Sequence, residues 1–330
     1  MTMGPGSSRR EFLRDSVLAA ATVTAMNPMT QAEPSGPTSR CAYTVACRDV
    51  HLQQAGGPGT WAVMKAVGVE GVEVLVEPDG RCPHLFGGRA PYTIADGGGI
   101  DRLRDELKSE GVAITAFCLM NRFDERPDDE VSWVERTARA AAKLSVPAIR
   151  LDFVPRAIKD TEEFLRFSIR MGRRIVEATG GLDVRFGVEN HGTTTNRPEF
   201  SRRLFEGVGS PRFGLTLDTA NFYWFGHPLS RLYEIYEEFA KLACHTHCKS
   251  IRFPASEREK QRPMGWEYDR YCCALHEGDI DFRRVVQILR RGGYSGDLCI
   301  EDESLDRYPK DQIRSVLQRE AAHLREVSRA

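Results

Sequence analysis

From residue 41 onward, short runs of β-branched and other apolar residues alternate with longer stretches in which apolar residues recur every three or four positions. The first pattern predicts buried strands, and the second predicts amphipathic helices. Eight strands are predicted, at residues 43–46, 71–76, 113–118, 148–153, 185–189, 214–218, 243–248 and 298–301. Helices are predicted between and after them, including residues 101–110, 131–144, 162–179, 229–242, 282–291 and 310–327.

Regular alternation of strand and helix is typical of a parallel α/β fold. Eight such units in about 290 residues match a (β/α)₈ TIM barrel, whose usual length is about 250 residues. A doubly wound open sheet is the alternative, but it normally carries a glycine-rich phosphate loop after its first strand, and this sequence has none there. We therefore expect residues 41–330 to form one TIM-barrel domain.

Composition restricts the partners of the chain. Its 330 residues include 46 Lys+Arg and 47 Asp+Glu, a formal net charge of −1, whereas nucleic-acid-binding proteins normally have a basic excess. No uninterrupted apolar run reaches the ~18–20 residues that span a bilayer. The nine cysteines are an odd number, and we expect mostly buried free thiols. These observations favour a soluble globular enzyme without nucleic-acid partners or an integral membrane span, and they leave a homo-oligomer open.

The first 40 residues are predicted to be a targeting segment. The stretch SRREFLR contains paired Arg9 and Arg10, and a short, mildly apolar run follows at residues 16–26. This order is typical of a twin-arginine export signal. A linker follows, with a cleavage position expected after Ala32. We therefore expect export by the twin-arginine route to a periplasmic or extracytoplasmic location, and we exclude residues 1–40 from the barrel.

Four of the predicted strands end in a side chain that can bind a metal. These residues are Glu189, Asp218, His247 and Glu301, at successive intervals of 29, 29 and 54 residues. The first two intervals each match one strand–helix unit, and the third matches a unit with a long loop. Because the carboxyl ends of barrel strands meet at one mouth, we expect the four side chains to lie close together.

Three carboxylates in one buried site repel each other and lose hydration, and a divalent cation relieves both penalties. Mixed oxygen and nitrogen ligands suit Mn²⁺, Mg²⁺, Co²⁺ or Zn²⁺. Strand alternation places His245 and His247 on the same face, with His247 nearer the mouth. The sequence therefore predicts His247 as the ligand and His245 one layer below, as a core histidine or a support for the ligand.

The chain resembles the sugar phosphate isomerase/epimerase superfamily, the xylose isomerase-like TIM barrels, between about residues 43 and 305. The resemblance rests on the segments GVEGVEV, GVENHG, GLTLDTANF, HTHCKS, HEGDIDF and GGYSGDLCIEDE, in that order. It implies the same four metal ligands that the strand ends indicate. Ketose 3-epimerases of this superfamily carry a histidine three residues after the metal aspartate, whereas this chain has Asn221.

The resemblance implies a divalent-metal-dependent isomerase or epimerase that moves a proton next to the carbonyl of a sugar or keto-sugar. Glu189 and Glu301 are the expected acid/base pair, doubling as ligands. Substrate contacts are expected from His191, Asn221, Lys249 and Arg252, the last in the place of an arginine that the epimerases carry after the metal histidine. The alternative is a lyase of the inosose dehydratase or 3-keto-glycoside-cleaving type, in which the same enediolate expels a β-leaving group.

Overall fold

The computed structural model describes residues 43–329, which form a barrel of eight parallel strands. The barrel strands are β1 (Thr44–Arg48), β2 (Gly71–Leu75), β3 (Ala113–Cys118), β4 (Ala148–Leu151), β5 (Arg185–Glu189), β6 (Phe213–Asp218), β7 (Ala243–His247) and β10 (Asp297–Ile300). They confirm the predicted (β/α)₈ TIM barrel. The signal peptide and linker predicted for residues 1–40 lie outside the described residues.

Helices connect the strands on the outside of the barrel. They are α1 (Asp49–Ala55), α2 (Thr60–Val67), α3 (Gly97–Glu110), α4 (Pro127–Leu144), α5 (Thr161–Ala178), α6 (Pro198–Val208), α7 (Asn221–Phe225), α8 (Leu229–Phe239), α9 (Tyr268–Tyr271), α10 (Phe282–Arg291) and α11 (Lys310–Arg329). Three short 3₁₀ turns occur at Ala240–Leu242, Leu275–Glu277 and Leu305–Arg307. A two-stranded antiparallel hairpin, β8 (Ser250–Ile251) with β9 (Cys272–Cys273), lies within the long loop that precedes α10.

The strands follow the order β10-β1-β2-β3-β4-β5-β6-β7, and all neighbouring pairs are parallel. The barrel closes between β7 and β10 through one bridged pair, Cys248 with Ile300. The Cys248 N–H donates to the Cys299 carbonyl at 2.7 Å, and the Glu301 N–H donates to the Cys248 carbonyl at 3.0 Å. This closure brings the end of β7 next to the end of β10.

Several helices begin at a side chain that accepts a hydrogen bond from the first turn. Asp96 accepts from the Gly99 N–H at the start of α3, Asp160 accepts from the Glu163 N–H at the start of α5, and Asp281 does the same for α10. Such caps satisfy backbone donors that have no partner within the helix. The buried faces of these helices pack on the strands and form the apolar outer layer of the core.

The barrel interior is polar toward its mouth. In β2, Val72 and Val74 belong to the apolar core, while Glu73 between them contacts His245 and His247 inside the barrel. This is the alternation expected for a strand whose two faces meet different surroundings. The strands therefore carry apolar side chains toward the helices and a set of buried charged side chains toward the barrel axis.

Within residues 43–329, no helix combines the length and the apolar character needed to cross a membrane. All eight cysteines in that range are free thiols, seven of them buried and Cys273 half-buried. The expectation of mostly buried free thiols is confirmed for the described residues.

Gly187 allows β5 and β6 to approach closely near the mouth. A Cβ atom at this position would lie 2.3 Å from the Thr216 Oγ1 atom, a distance that side chains do not adopt. The Thr216 hydroxyl instead donates to the Gly187 carbonyl at 3.1 Å. This close contact lies two residues before Glu189 on β5 and two residues before Asp218 on β6.

Candidate metal centre

Four side chains from the carboxyl ends of four barrel strands converge on one small volume. Glu189, Asp218 and His247 are the last residues of β5, β6 and β7, and Glu301 follows β10 directly. Each is buried, and one ligand atom from each lies within 4.8 Å of those of the other three. The structure thus brings together all four residues that the strand ends indicated.

Three of their atoms fit a cation. Asp218 Oδ2, His247 Nδ1 and Glu301 Oε2 are buried and form no hydrogen bond among the described residues. His247 Nδ1 lies 3.2 Å from Glu301 Oε2 and 3.5 Å from Glu189 Oε1. Buried polar atoms normally have hydrogen-bond partners, whereas the two oxygens here have only the Lys249 ammonium as an ion-pair partner. This set of atoms suits a divalent ion with oxygen and imidazole ligands.

Three basic side chains neutralise these carboxylates from the rim. Lys249 Nζ lies 3.0 Å from Asp218 Oδ2 and 2.9 Å from Glu301 Oε2. Arg150 Nε donates to Glu189 Oε2 at 2.5 Å, and the Arg48 guanidinium pairs with Glu301. These contacts hold the carboxylates in fixed orientations that a flexible or solvated acid would not keep.

The cations determine the charge of the two glutamates. Burial alone would raise the pKa of Glu189, but Arg150 and His247 outweigh it and lower that pKa. Burial would likewise raise the pKa of Glu301, but His247, Lys249 and Arg48 lower it well below its usual value. Both side chains are therefore carboxylates at neutral pH and can accept a proton.

Asp218 behaves differently because it is the most enclosed of the three acids. Burial raises the pKa of its carboxyl to about 7; Lys249 opposes the rise, and the neighbouring charges of Glu301 and Glu189 add to it. Its Oδ1 atom accepts from the Ala220 and Asn221 N–H groups at 2.8 and 2.7 Å. The other carboxylate oxygen of Asp218, Oδ2, contacts Lys249.

Three of the four predicted substrate contacts line a cavity of about 260 Å³ above the ligands, namely His191, Asn221 and Lys249. Asn221 Nδ2 donates to Glu189 Oε1 at 3.0 Å, so it also orients one of the four converging side chains. Arg252 is exposed and lies on a separate depression with Arg258 and Arg307, so the structure does not bring it to this cavity.

His191 is paired with Asp152, a residue that sequence reasoning missed. His191 Nδ1 lies 3.0 Å from Asp152 Oδ1, and this hydrogen bond raises the pKa of the imidazole. The histidine is half-buried, so its ring borders both the cavity and the aspartate. The pair provides a proton-carrying group that is not one of the four ligands.

Arg48, Arg150 and Glu73 were also missed. Each is a single charged residue in a short strand of otherwise mostly apolar residues: TVACR, AIRL and GVEVL. An isolated charge in a buried strand is a signal that can be seen in a sequence, because charges are rarely buried without a partner. Its partners only become visible when the neighbouring strands are known.

The sequence of residues 61–327 matches the family described as "Xylose isomerase-like TIM barrel", and the chain belongs to this family. Residues 61–327 include all four converging side chains. A search of curated proteins finds no significant match.

Solved structures share the fold at low sequence identity. One is the IolI protein with a bound zinc atom (TM-score 0.65, 13% identity, 85% of this chain and 97% of that one). Another is a D-tagatose 3-epimerase-like protein (TM-score 0.59, 16% identity, 86% and 98% covered). A third is mannonate dehydratase from Streptococcus suis (TM-score 0.59, 13% identity, 87% and 95% covered). These neighbours show the fold of the chain and leave its activity open.

Proposed function

We propose that this chain is a divalent-metal-dependent isomerase or epimerase that transfers a proton at a carbon next to the carbonyl of a small sugar or keto-sugar. The observation that carries the proposal is the convergence of Glu189, Asp218, His247 and Glu301 at the mouth of the barrel, with one possible ligand atom of each within 4.8 Å of the others. The zinc atom bound to the IolI protein, which has the same fold, supports the choice of a divalent ion.

Proton removal next to a carbonyl is slow because the enediolate that forms is unstable. A divalent cation held by the four ligands would supply positive charge that stabilises the enediolate oxygens, an effect of several kcal/mol. The protein supplies the base. Glu189 and Glu301 approach the ligand cluster from β5 and β10, and both are ionised at neutral pH. Either is therefore able to accept the proton, on one side of the substrate or the other.

The cavity restricts the substrate to a small polar molecule. Its volume of about 260 Å³ lies below the ~300–1,000 Å³ typical of sites for drug-sized ligands. Its wall carries hydrogen-bonding groups from Lys249 and Asn221, with the ring of Trp224 beside them. Polar groups suit sugar hydroxyls, and an indole ring suits the apolar face of a sugar.

The test is the metal-dependent exchange of substrate hydrogen. Protein stripped of metal and reloaded separately with Mn²⁺, Mg²⁺, Co²⁺ or Zn²⁺ is incubated with ketoses in D₂O, and NMR follows deuterium entering next to the carbonyl. We expect exchange with at least one ion and a loss of about 10²–10⁴-fold in Glu189→Gln and in Glu301→Gln. Glu130→Gln is the control, because Glu130 is a buried carboxylate bound by Arg126 and Asn121. Full activity after metal removal, or in either variant, would contradict the proposal.

A second candidate is a lyase, and the His191–Asp152 pair favours it. Elimination needs an acid that protonates the leaving group, and a histidine held by a carboxylate can provide that proton. The mannonate dehydratase of the same fold also supports this reaction class. Inososes and 3-keto-glycosides are the test substrates. An unsaturated product that absorbs in the near ultraviolet, lost in His191→Gln, indicates the lyase; epimerisation leaves the composition of the substrate unchanged.

We also propose that the chain is exported by the twin-arginine route. The support is the sequence around Arg9 and Arg10 and the short apolar run that follows. Fractionation of cells that express the full chain, with Arg9→Lys/Arg10→Lys as the comparison, tests this. We expect the wild-type protein outside the cytoplasm and the double variant retained inside; equal retention of both would contradict export.

A further inference from the structure

Glu73 is a carboxylate that the barrel encloses completely. It is the third residue of β2 and the only charged residue of that strand, and none of its surface is exposed. Removing a charge from water costs several kcal/mol unless close partners compensate for the loss. We therefore expect other side chains inside the barrel to compensate for the charge of Glu73.

The partners converge on one oxygen atom. Glu73 Oε2 lies 2.7 Å from His247 Nε2, 3.5 Å from His245 Nε2 and 3.4 Å from Arg48 Nε. The shortest of these contacts is the hydrogen bond to His247, one of the four ligands. Glu73 is thus joined directly to the metal centre from below, while the cavity lies above.

The two ring nitrogens of His247 face different groups. Nε2 meets Glu73, whereas Nδ1 lies 3.2 Å from Glu301 Oε2 and 3.5 Å from Glu189 Oε1. A carboxylate can only accept, so the hydrogen bond at Nε2 requires the ring proton there. A metal ion would then bind at Nδ1, the atom that faces Glu189 and Glu301, in place of the second ring proton that the surrounding carboxylates favour in the metal-free protein.

His245 supports this arrangement from the layer beneath. Asp297 Oδ1 lies 2.9 Å from His245 Nδ1, and the Tyr294 hydroxyl donates to the same oxygen at 2.8 Å. The rings of His245 and His247 meet edge to face, with 5.2 Å between their centroids and 83° between their planes. His247 can therefore neither tilt downward nor rotate without displacing a fixed neighbour.

We infer that Glu73 is the positioning residue of the metal centre: it holds the His247 ring with the proton on Nε2, so that Nδ1 is the metal-binding atom. The inference rests on the proposed function, because it takes His247 as a ligand. Carboxylates that orient ligand histidines commonly change metal affinity by 10–100-fold when they are replaced. Glu73 does not line the cavity, so it acts through His247 rather than on the substrate.

The test compares Glu73→Gln, the wild type and Glu130→Gln, which exchanges an equally buried carboxylate outside the centre. Dissociation constants for Co²⁺ and Zn²⁺ are measured by competition with a chelating dye. We expect binding about 10–100-fold weaker in Glu73→Gln, with an altered visible spectrum of bound Co²⁺, and binding within about twofold of wild type in Glu130→Gln. Unchanged affinity in Glu73→Gln, or an equal loss in both variants, overturns the inference.

A measurement on the wild type decides the matter if Glu73→Gln does not fold. In the zinc-loaded protein, long-range ¹H–¹⁵N NMR correlations of the His247 ring report which nitrogen carries the proton. We expect zinc at Nδ1 and a proton at Nε2; zinc at Nε2 overturns the inference. Failure of the proposed function looks different, because the wild type itself would then bind no ion.

Discussion

Single residues in this site depend on partners from other strands. Arg150 on β4 pairs with Glu189 on β5, and Arg48 at the end of β1 pairs with Glu301 after β10. In both pairs the carboxylate is buried, so loss of the arginine would remove a large part of the compensation for its charge. Removing one partner of such a pair is far more damaging than replacing both.

Replacement of Arg150 by methionine should destabilise the protein strongly. Because Glu189 would lose its nearest cation and keep only the Asn221 amide and the His247 ring as partners, we expect the free energy of unfolding to fall by about 3–5 kcal/mol. Urea denaturation of metal-free protein at pH 7 measures the change. Saturating divalent ion should restore part of the loss, since it supplies a positive charge to the same carboxylate.

The control for this prediction is Arg203→Met. Arg203 forms an ion pair with Glu162 in which both side chains are about half exposed, at 52% and 54%. Exposed pairs are screened by water and contribute little, so this variant should unfold close to the wild type. A similar loss in both variants would show that burial of the charge is not the cause.

At the residue scale, position along the chain was sufficient to predict which four side chains converge, but not the groups that hold them in place. Glu189, Asp218, His247 and Glu301 each mark a strand end, and all barrel strands deliver their ends to the same mouth. Arg48, Arg150 and Glu73 carry no such mark. Their importance comes from which strands are adjacent and from which side chains the barrel interior brings within hydrogen-bond distance.

At the scale of elements, apolar periodicity predicted the long and regular segments best. The predicted strands at 113–118 and 185–189 and the helix at 282–291 have the observed bounds of β3, β5 and α10. Helices α1, α2 and α6 were not specified; α1 and α2 contain only 7 and 8 residues and provide few repeats of the pattern. The hairpin of β8 and β9 has two residues per strand, which is too short for any periodicity.

A second prediction follows from the close contact between β5 and β6 at Gly187. In Gly187→Ala the added methyl group would meet Thr216 Oγ1 at 2.3 Å, so one strand must shift. Overpacking of this kind costs about 1–3 kcal/mol. The shift should also separate Glu189 from Asp218, and we expect weaker metal binding in a dye competition assay together with a lower melting temperature.

Gly97→Ala is the matched control for that variant. Gly97 begins α3, and a Cβ atom there meets nothing within 4 Å. Alanine favours helix over glycine, so this variant should be at least as stable as the wild type and should bind metal equally well. Wild-type metal affinity in Gly187→Ala would show that the centre tolerates movement of β5 relative to β6.

For the whole molecule, the protonation of Asp218 links stability, pH and metal. Its raised pKa of about 7 lies above the value of about 3.9 for an unfolded chain, so the folded state binds this proton more tightly. The contribution of Asp218 to stability therefore falls as the pH rises from about 4 to 7. A metal ion bound to the ionised Asp218 carboxylate would compensate for this loss of stability.

Metal affinity should accordingly depend on pH. Below pH 7 the ion must displace the Asp218 proton, so this proton alone should lower the association constant by about tenfold per pH unit between pH 7 and 5. Above pH 7 the part of the dependence that comes from Asp218 should level off, and the His247 proton, whose pKa the neighbouring carboxylates raise, accounts for the rest. Isothermal titration calorimetry at several pH values, in two buffers with different ionisation enthalpies, measures the affinity and the released proton. Constant affinity from pH 5 to 7 would contradict an Asp218 ligand that is protonated in this range.

Between β7 and β10 the barrel wall is joined by one bridged pair, and two of the four converging side chains flank it, His247 before the joint and Glu301 after it. An ion bound by both His247 and Glu301 would link β7 to β10 and strengthen the closure of the barrel. The amide hydrogens of Cys248 and Glu301, which cross the joint, should then exchange with deuterium more slowly in metal-loaded protein. Amides shared by β3 and β4, on the far wall, should keep their rates.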